Sequence, residues 1–89
     1  MNLEDGYLKA LWEGQNGLCE LSKLPMFLPY SGEDWDLIGS LDRIDPDKGY
    51  IKGNVRWILN CVNTFKARQS DKFVIKVARA IANTHPITP

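Results

Sequence analysis

Residues 40–66 read SLDRIDPDKGYIKGNVRWILNCVNTFK, and this stretch decides the fold. Apolar and polar residues alternate over 41–44 and again over 55–58, which is typical of half-buried strands. Between them, DPDKG and the Gly53-Asn54 pair are turn signals. From about residue 59 to Lys66 the apolar residues recur at helical spacing. The stretch therefore predicts two strands joined by a loop and followed directly by a helix.

The segment before this stretch is predicted to contain one helix and little other regular structure. Apolar residues at helical spacing predict a helix over 3–15, and Asn16-Gly17 ends it because both residues tolerate a left-handed backbone. A short strand is predicted at 18–21. The following residues, 22–39, are rich in proline and glycine and predict an irregular loop with aromatic anchors.

The segment after the stretch predicts a last helix. Ser70 is a suitable N-cap, and the helix is expected to run from residue 71 to about residue 83. With 89 residues the chain has room for a single domain, 1–89. The predicted fold class is α+β: a ββα core at about 40–67, with an N-terminal helix and a C-terminal helix.

Charge is divided unevenly along the chain although its formal net charge is zero. Residues 1–47 hold ten acidic and three basic side chains, and residues 48–89 hold eight basic side chains and one acidic, Asp71. The basic half could follow a phosphate backbone. Alternatively, the two halves neutralise each other inside the fold. Charge alone does not choose between these alternatives.

The expected location is the cytoplasm. No apolar run approaches the ~18 residues that a membrane-spanning helix needs. The first residues, MNLEDGYLK, lack the basic-then-apolar pattern of a signal peptide. Cys19 and Cys61 form no CxxC pair, so we expect buried free thiols in place of a disulfide or zinc framework.

The predicted ββα unit is able to hold one metal ion. The first strand carries Asp42, and a helix that returns across this strand can bring Asn63 to meet it. A carboxylate and an amide oxygen, completed by water, suit Mg²⁺ or Mn²⁺. Such an ion would polarise a phosphate and stabilise the departing oxygen. The alternative is that Asp42 forms a surface ion pair with Arg43 or Arg56 and that Asn63 is an ordinary polar residue of the helix.

Several short strings in this stretch resemble one family. SLDRID, GY, GNVRW and NCVNTFK, together with the upstream GLCELS and LP, are similar to small phage and bacterial HNH endonucleases, the ββα-metal or His-Me finger family. The resemblance covers about residues 10–82. It implies a DNA endonuclease or nickase that hydrolyses phosphodiester bonds with Mg²⁺ or Mn²⁺, encoded by a phage or mobile element and acting on DNA in a bacterial host.

The resemblance also implies roles for individual residues. Asp42 takes the place of the metal-binding acid on the first strand, and Asn63 that of the metal ligand on the helix. Asn54 takes the place of the middle asparagine, which braces the loop. The implied contacts to nucleic acid are five basic residues: Lys52, Arg56, Lys66, Arg68 and Lys72.

One position departs from the family pattern. Where typical members carry a histidine that acts as general base, this chain has Arg43, and arginine stays protonated at any relevant pH. Asp45 would then have to activate the water, or a metal-bound water would have to ionise without a base. Arg43 could instead bind a phosphate.

The departure keeps two other hypotheses open. In the first, the chain is a catalytically impaired HNH-fold protein that binds or inhibits a host defence protein, with the acidic residues 33–36 mimicking nucleic acid. In the second, it is an accessory DNA-binding module that needs a partner for catalysis.

Overall fold

Three α-helices and one antiparallel hairpin make up the computed structural model, which describes residues 3–87. Helix α1 spans Asp5–Gly14, strand β1 Gly39–Arg43, strand β2 Val55–Leu59, helix α2 Asn60–Lys66 and helix α3 Asp71–Thr84. A short 3₁₀ helix, Trp35–Leu37, precedes β1. The predicted α+β class and the strand–strand–helix order are therefore confirmed.

The register of the hairpin decides which side chains meet. Leu41 lies opposite Trp57, and Asp42 lies opposite Arg56. Because successive side chains of a strand point to opposite faces, the first pair lies on one face of the sheet and the charged pair on the other. Asn54 closes the loop: its side-chain Oδ1 accepts from the Asp45 amide at 2.9 Å, and its Nδ2 donates to two loop carbonyls.

The core lies against the hairpin and is small. Its buried members are Cys19, Met26, Ile58 and Leu59. Trp12 of α1 packs edge-on against Trp57, with the ring centroids 5.5 Å apart. Gly39 lies under this pair, and a Cβ at Gly39 would approach Trp12 to 2.4 Å, so only glycine allows α1 to pack this closely on β1.

The strand predicted at 18–21 is wrong. Leu18 forms only an isolated bridge with Pro25, and the chain turns sharply between them. The Lys23 amide donates to the Cys19 carbonyl at 2.7 Å, with Lys23 at a positive φ of 62°. Residues 18–21 thus lead into a tight turn, because the chain folds back before it can form an extended strand.

The two flanking helices confirm the helix predictions with small changes at their ends. Helix α1 is shorter than the predicted 3–15, and α3 ends one residue later than predicted, at Thr84. Ser70 caps α3, since its Oγ accepts from the Phe73 amide at 3.2 Å. Of the helices between residues 3 and 87, none is long and apolar enough to cross a membrane.

Candidate functional site

Four charged side chains form a network between the hairpin and the last two helices. We call Asp42 of β1, Arg56 of β2, Lys66 of α2 and Asp71 of α3 the charged quartet. Asp42, Arg56 and Lys66 are 4%, 7% and 1% exposed. The quartet holds two carboxylates and two cationic groups, so its formal charge is zero. The net neutrality allows these groups to be buried together.

Lys66 occupies the centre of the charged quartet. Its Nζ lies 3.0 Å from each carboxylate oxygen of Asp42 and 2.9 Å from the carbonyl oxygen of Arg43. An oxygen of Asp71 lies 3.6 Å away. Oxygen atoms from two carboxylates and one carbonyl therefore surround the ammonium group. This is the surrounding that a small hard cation prefers.

Arg56 joins the two carboxylates of the quartet. Its Nε donates to Asp42 at 2.9 Å, and its two terminal nitrogens donate to the Asp71 oxygens at 2.8 and 2.6 Å. The bidentate contact is the stronger geometry for an arginine–carboxylate pair. It ties the first residue of α3 to the middle of the sheet.

These contacts change the pKa values of two members. Hydrogen bonds from Arg56 lower the pKa of the Asp71 carboxyl below its ordinary value, and burial opposes them less strongly. For Arg56, burial favours the neutral form, but the hydrogen bonds to Asp71 and Asp42 outweigh it and raise the pKa of the guanidinium. Both groups are thus held in their charged forms.

The outer edge of β1 explains why α2 carries polar residues on its inner side. The hydrogen bonds that continue the hairpin beyond the strands involve Ile38 and Ile44, so even-numbered residues of β1 bond to β2. The backbone groups of Leu41 and Arg43 therefore point away from β2. Their carbonyls would lack partners unless another element supplied donors.

Two side chains of α2 supply those donors. Asn63 Nδ2 donates to the Leu41 carbonyl at 3.2 Å and to Ser40 Oγ at 2.8 Å, and Lys66 donates to the Arg43 carbonyl. A carbonyl can only accept, so the Asn63 amide must turn its nitrogen, and not its oxygen, towards Leu41. One turn of helix thus covers the free edge of β1.

The residues around Asp42, as they are arranged, do not fit a divalent metal ion. Both Asp42 oxygens already contact a cationic group, and Asn63 offers nitrogen where a metal ligand would offer oxygen. A metal ion at Asp42 would have to displace the ammonium of Lys66. Within residues 3–87 there is also no other group of three or more histidine, cysteine or acidic side chains suited to a metal.

The two other predicted catalytic groups lie at the start of the loop. The guanidinium of Arg43 stacks over the ring of Tyr50, 5.2 Å from its centroid. Asp45 Oδ1 accepts from the Asp47 amide at 2.9 Å and so stabilises the turn. The structure thus gives both residues local contacts and leaves their catalytic roles as predictions.

The five predicted contacts to nucleic acid separate into two groups. Arg56 and Lys66 are buried in the charged quartet and do not reach the surface. Lys52, Arg68 and Lys72 are exposed, and the Lys52 ammonium lies 3.7 Å from Glu4. The structure therefore does not bring these five residues onto one surface.

Asp71 is the member of the charged quartet that the sequence does not single out for the site, since it predicts Asp71 only as the first residue of the last helix. A signal was available, since Asp71 is the single acidic residue of the basic half. An isolated acid among eight basic residues is a candidate partner for a buried cation.

The two cysteines are free, and Cys19 is buried in the core. Burial raises the pKa of the Cys19 thiol, but hydrogen bonds to its sulfur, led by the contact with Ser22, lower it further than burial raises it. The Ser22 amide donates to this sulfur at 3.4 Å.

Comparison of the chain with protein-family models, curated proteins and solved structures gives no match.

Proposed function

We propose that this chain is an HNH-like ββα protein that uses the ammonium of Lys66 in place of a metal ion and acts by binding a partner protein. The resemblance of residues 40–66 to HNH endonucleases supports the fold assignment, as does the observed order of two strands and a helix. The proposed setting is the cytoplasm of a bacterial host, with the gene carried by a phage or mobile element.

One observation carries the proposal, and it is the position of the Lys66 ammonium. A divalent ion at Asp42 would leave this ammonium, 1% exposed, without its carboxylate. Removing one partner from a buried ion pair costs about 3–5 kcal/mol. The negative end of the α2 dipole also favours a cation at this last-turn position. Metal binding at Asp42 would therefore work against the stability of the fold.

The chemistry of the remaining groups also disfavours hydrolysis. Arg43 stands where the resembling nucleases place a general base, and it cannot accept a proton. Two of the five predicted phosphate contacts, Arg56 and Lys66, are used inside the fold. With these groups buried, the scaffold remains available for binding a partner. The proposed class of partner is a host defence protein.

The second candidate is the Mg²⁺- or Mn²⁺-dependent DNA endonuclease that the resemblance implies. One contact favours it: carboxylate oxygens of Asp42 and Asp71 converge on a single point, the Lys66 ammonium. If Lys66 moved outward, these two carboxylates would face the same space. A metal ion held there would supply the Lewis acid for phosphodiester hydrolysis.

Plasmid nicking and Mn²⁺ binding decide between the two candidates. We expect the purified chain to leave supercoiled plasmid intact with Mg²⁺ or Mn²⁺, and electron paramagnetic resonance to detect no bound Mn²⁺. The control is Asp47→Asn, a loop acid outside the charged quartet. Nicking that requires a divalent ion, persists in Asp47→Asn and disappears in a folded Asp42→Asn variant would overturn the proposal in favour of the endonuclease.

A further inference from the structure

A groove opens on the side of the hairpin opposite the charged quartet. We call residues 28–36, LPYSGEDWD, the acidic loop. Together with α1 and β1 it encloses a groove of about 690 Å³. The lining includes Tyr30 and Trp35 from the acidic loop, Leu41 and Trp57 from the sheet, and Asn60 from the start of α2. None of these residues belongs to the quartet.

The acidic loop exposes large apolar side chains. Trp35 is 70% exposed, Leu28 is 60% exposed and Tyr30 is fully exposed. Burying such side chains would stabilise the fold, yet the small core leaves them outside. Exposed tryptophan and tyrosine are the residues most often found at the energetic centres of protein interfaces. The pattern therefore points to a binding surface.

The backbone of the acidic loop is fixed before any partner arrives. The Phe27 amide donates to the Leu37 carbonyl at 3.0 Å, and the Gly39 amide donates back to Phe27 at 2.9 Å. Asp34 Oδ1 accepts from the Asp36 amide at 2.9 Å. These bonds at the base of the loop reduce the entropy lost on binding.

The charges around the groove indicate the charge of the partner that it would bind. Its lining contains the carboxylates of Asp5 and Glu33 and no lysine or arginine. Asp34 and Asp36 adjoin them along the loop, and within residues 3–87 no ion pair involves any of these four acids. A phosphate backbone would be repelled by this surface, whereas a cationic side chain would be attracted.

We infer that this groove binds a basic, partly apolar segment of a partner protein. An arginine or lysine side chain of that segment stacks on Trp35 and Tyr30, between the carboxylates of Asp5 and Glu33. The inference deepens the proposed function, because it identifies the surface and the chemistry by which the protein recognises its partner.

Fluorescence anisotropy with a fluorescein-labelled peptide of alternating arginine and leucine tests the inference. We expect Trp35→Ala to weaken binding about tenfold, as the loss of an interface anchor does. Glu33→Gln should weaken it about two- to fivefold. Asp47→Asn makes the same charge change outside the groove and should leave the affinity unchanged. A peptide of alternating glutamate and leucine should not bind.

Four results would show that the inference is wrong. One is equal weakening by Trp35→Ala and Asp47→Asn, and a second is no binding of the arginine peptide at all. Another is direct binding of a fluorescein-labelled DNA duplex that Trp35→Ala weakens and Asp47→Asn does not. The last is self-association in sedimentation experiments that Trp35→Ala abolishes, because a second copy would then occupy the acidic loop.

The outcome is separable from that of the proposed function. If the arginine peptide fails to bind while nicking and Mn²⁺ binding are also absent, the groove inference fails and the metal-free function stands. If the chain nicks plasmid and the groove variants bind peptide as expected, the groove inference stands and the proposed function fails.

Discussion

The ammonium of Lys66 is the group on which the proposed metal-free function depends. It lies among oxygens of Asp42, Asp71 and the Arg43 carbonyl, and it is almost fully buried. Lysine in this position gives the unit a cation that cannot dissociate. Substitutions of Lys66 therefore test two things separately: its contribution to the free energy of unfolding and its effect on metal binding at Asp42.

If the proposed function is correct, Lys66→Ala should create a dependence on a divalent ion that we expect the wild type not to show. The substitution leaves Asp42 with Arg56 alone, so we expect the free energy of unfolding to fall by about 3 kcal/mol. The space vacated between Asp42 and Asp71 should then accept Mn²⁺, which restores part of the loss through linkage. Urea unfolding with and without Mn²⁺, with circular dichroism to verify folding, measures both effects.

Lys72→Ala is the matched control for this experiment. Lys72 is exposed on α3, so its removal should change the free energy of unfolding by no more than about 0.5 kcal/mol, with or without Mn²⁺. Stabilisation of the wild-type chain by Mn²⁺ to the same extent as Lys66→Ala would contradict the assignment of Lys66 as the internal cation.

Asn63 offers a second test at a single residue, because its two candidate roles predict opposite results. Asn63 donates to the Leu41 carbonyl. An aspartate in its place would set a carboxylate oxygen, which only accepts, against the carbonyl oxygen of Leu41. Asn63→Asp should then lower the free energy of unfolding by about 1–3 kcal/mol, and more than Asn63→Ala does. As a metal ligand, aspartate would be tolerated and would bind Mn²⁺ more tightly.

Thermal unfolding of the two Asn63 variants, with and without Mn²⁺, measures the difference. Asn83→Asp, at an exposed position of α3, is the control for the added charge. An Asn63→Asp variant that is as stable as the wild type and gains stability with Mn²⁺ would return Asn63 to the role of metal ligand.

At the scale of elements, α2 protects the edge of the sheet. A two-stranded sheet has exposed edges that other chains can extend, and proteins commonly cover such edges. Here the side chains of Asn63 and Lys66 occupy the outward carbonyls of Leu41 and Arg43. The helix therefore blocks strand addition at β1, and the groove beside the acidic loop is the more open binding surface.

The attachment of α3 should depend on pH through Asp71. The folded-state pKa of this carboxyl is lower than the value of about 3.9 expected in the unfolded chain. Asp71 thus contributes stability that is fully present above about pH 4 and is lost as the pH falls through the folded-state pKa. We expect Asp71→Asn to be less stable at neutral pH and to lose less stability on acidification.

Urea unfolding at a series of pH values checks this dependence. Asp47→Asn should keep the wild-type slope, because the Asp47 carboxylate lies in the exposed loop. Identical slopes for the wild type and Asp71→Asn below about pH 4 would show that the contact with Arg56 does not couple α3 to the sheet.

Across the whole molecule, periodic patterns predicted the fold better than the site. Alternation over 41–44 and helical spacing after residue 59 are local properties, and the elements formed where these patterns lay. The strand prediction for 18–21 was wrong because the turn that follows depends on a positive φ at Lys23. Lysine is not a residue type that indicates a positive φ.

Only part of the charged quartet was predictable: the Asp42–Arg56 pair was the alternative to the metal site, but as a surface ion pair, and the structure buries it. Arg56 and Lys66 resemble surface residues in the sequence, and only the register of the hairpin turns Arg56 towards Asp42. The turn between α2 and α3 brings Asp71 next to Arg56 and Lys66. The two cations of the quartet come from the basic half and Asp42 from the acidic half, so internal neutralisation accounts for part of the uneven charge distribution.

Replacing the buried members of the quartet together should cost less than removing one. Asp42→Leu alone leaves Arg56 facing only Asp71 and Lys66 without its main partner, so we expect a loss of about 3–5 kcal/mol in the free energy of unfolding. The triple variant Asp42→Leu, Arg56→Met, Lys66→Met removes the three buried charges and leaves only Asp71, whose side chain is 30% exposed, without a cationic partner. Because apolar replacement of buried ion pairs is often neutral, its loss should stay below about 2 kcal/mol.

The triple variant also tests whether the quartet supports the fold or the activity. It retains the acidic loop, so it should bind the arginine peptide with wild-type affinity while it unfolds at a similar urea concentration. The three single variants, measured in parallel, give the coupling energy of the network. If the losses of the single variants simply add up in the triple variant, the quartet is not a cooperative unit. If the folded triple variant no longer binds the peptide, the quartet also shapes the recognition surface on the opposite face.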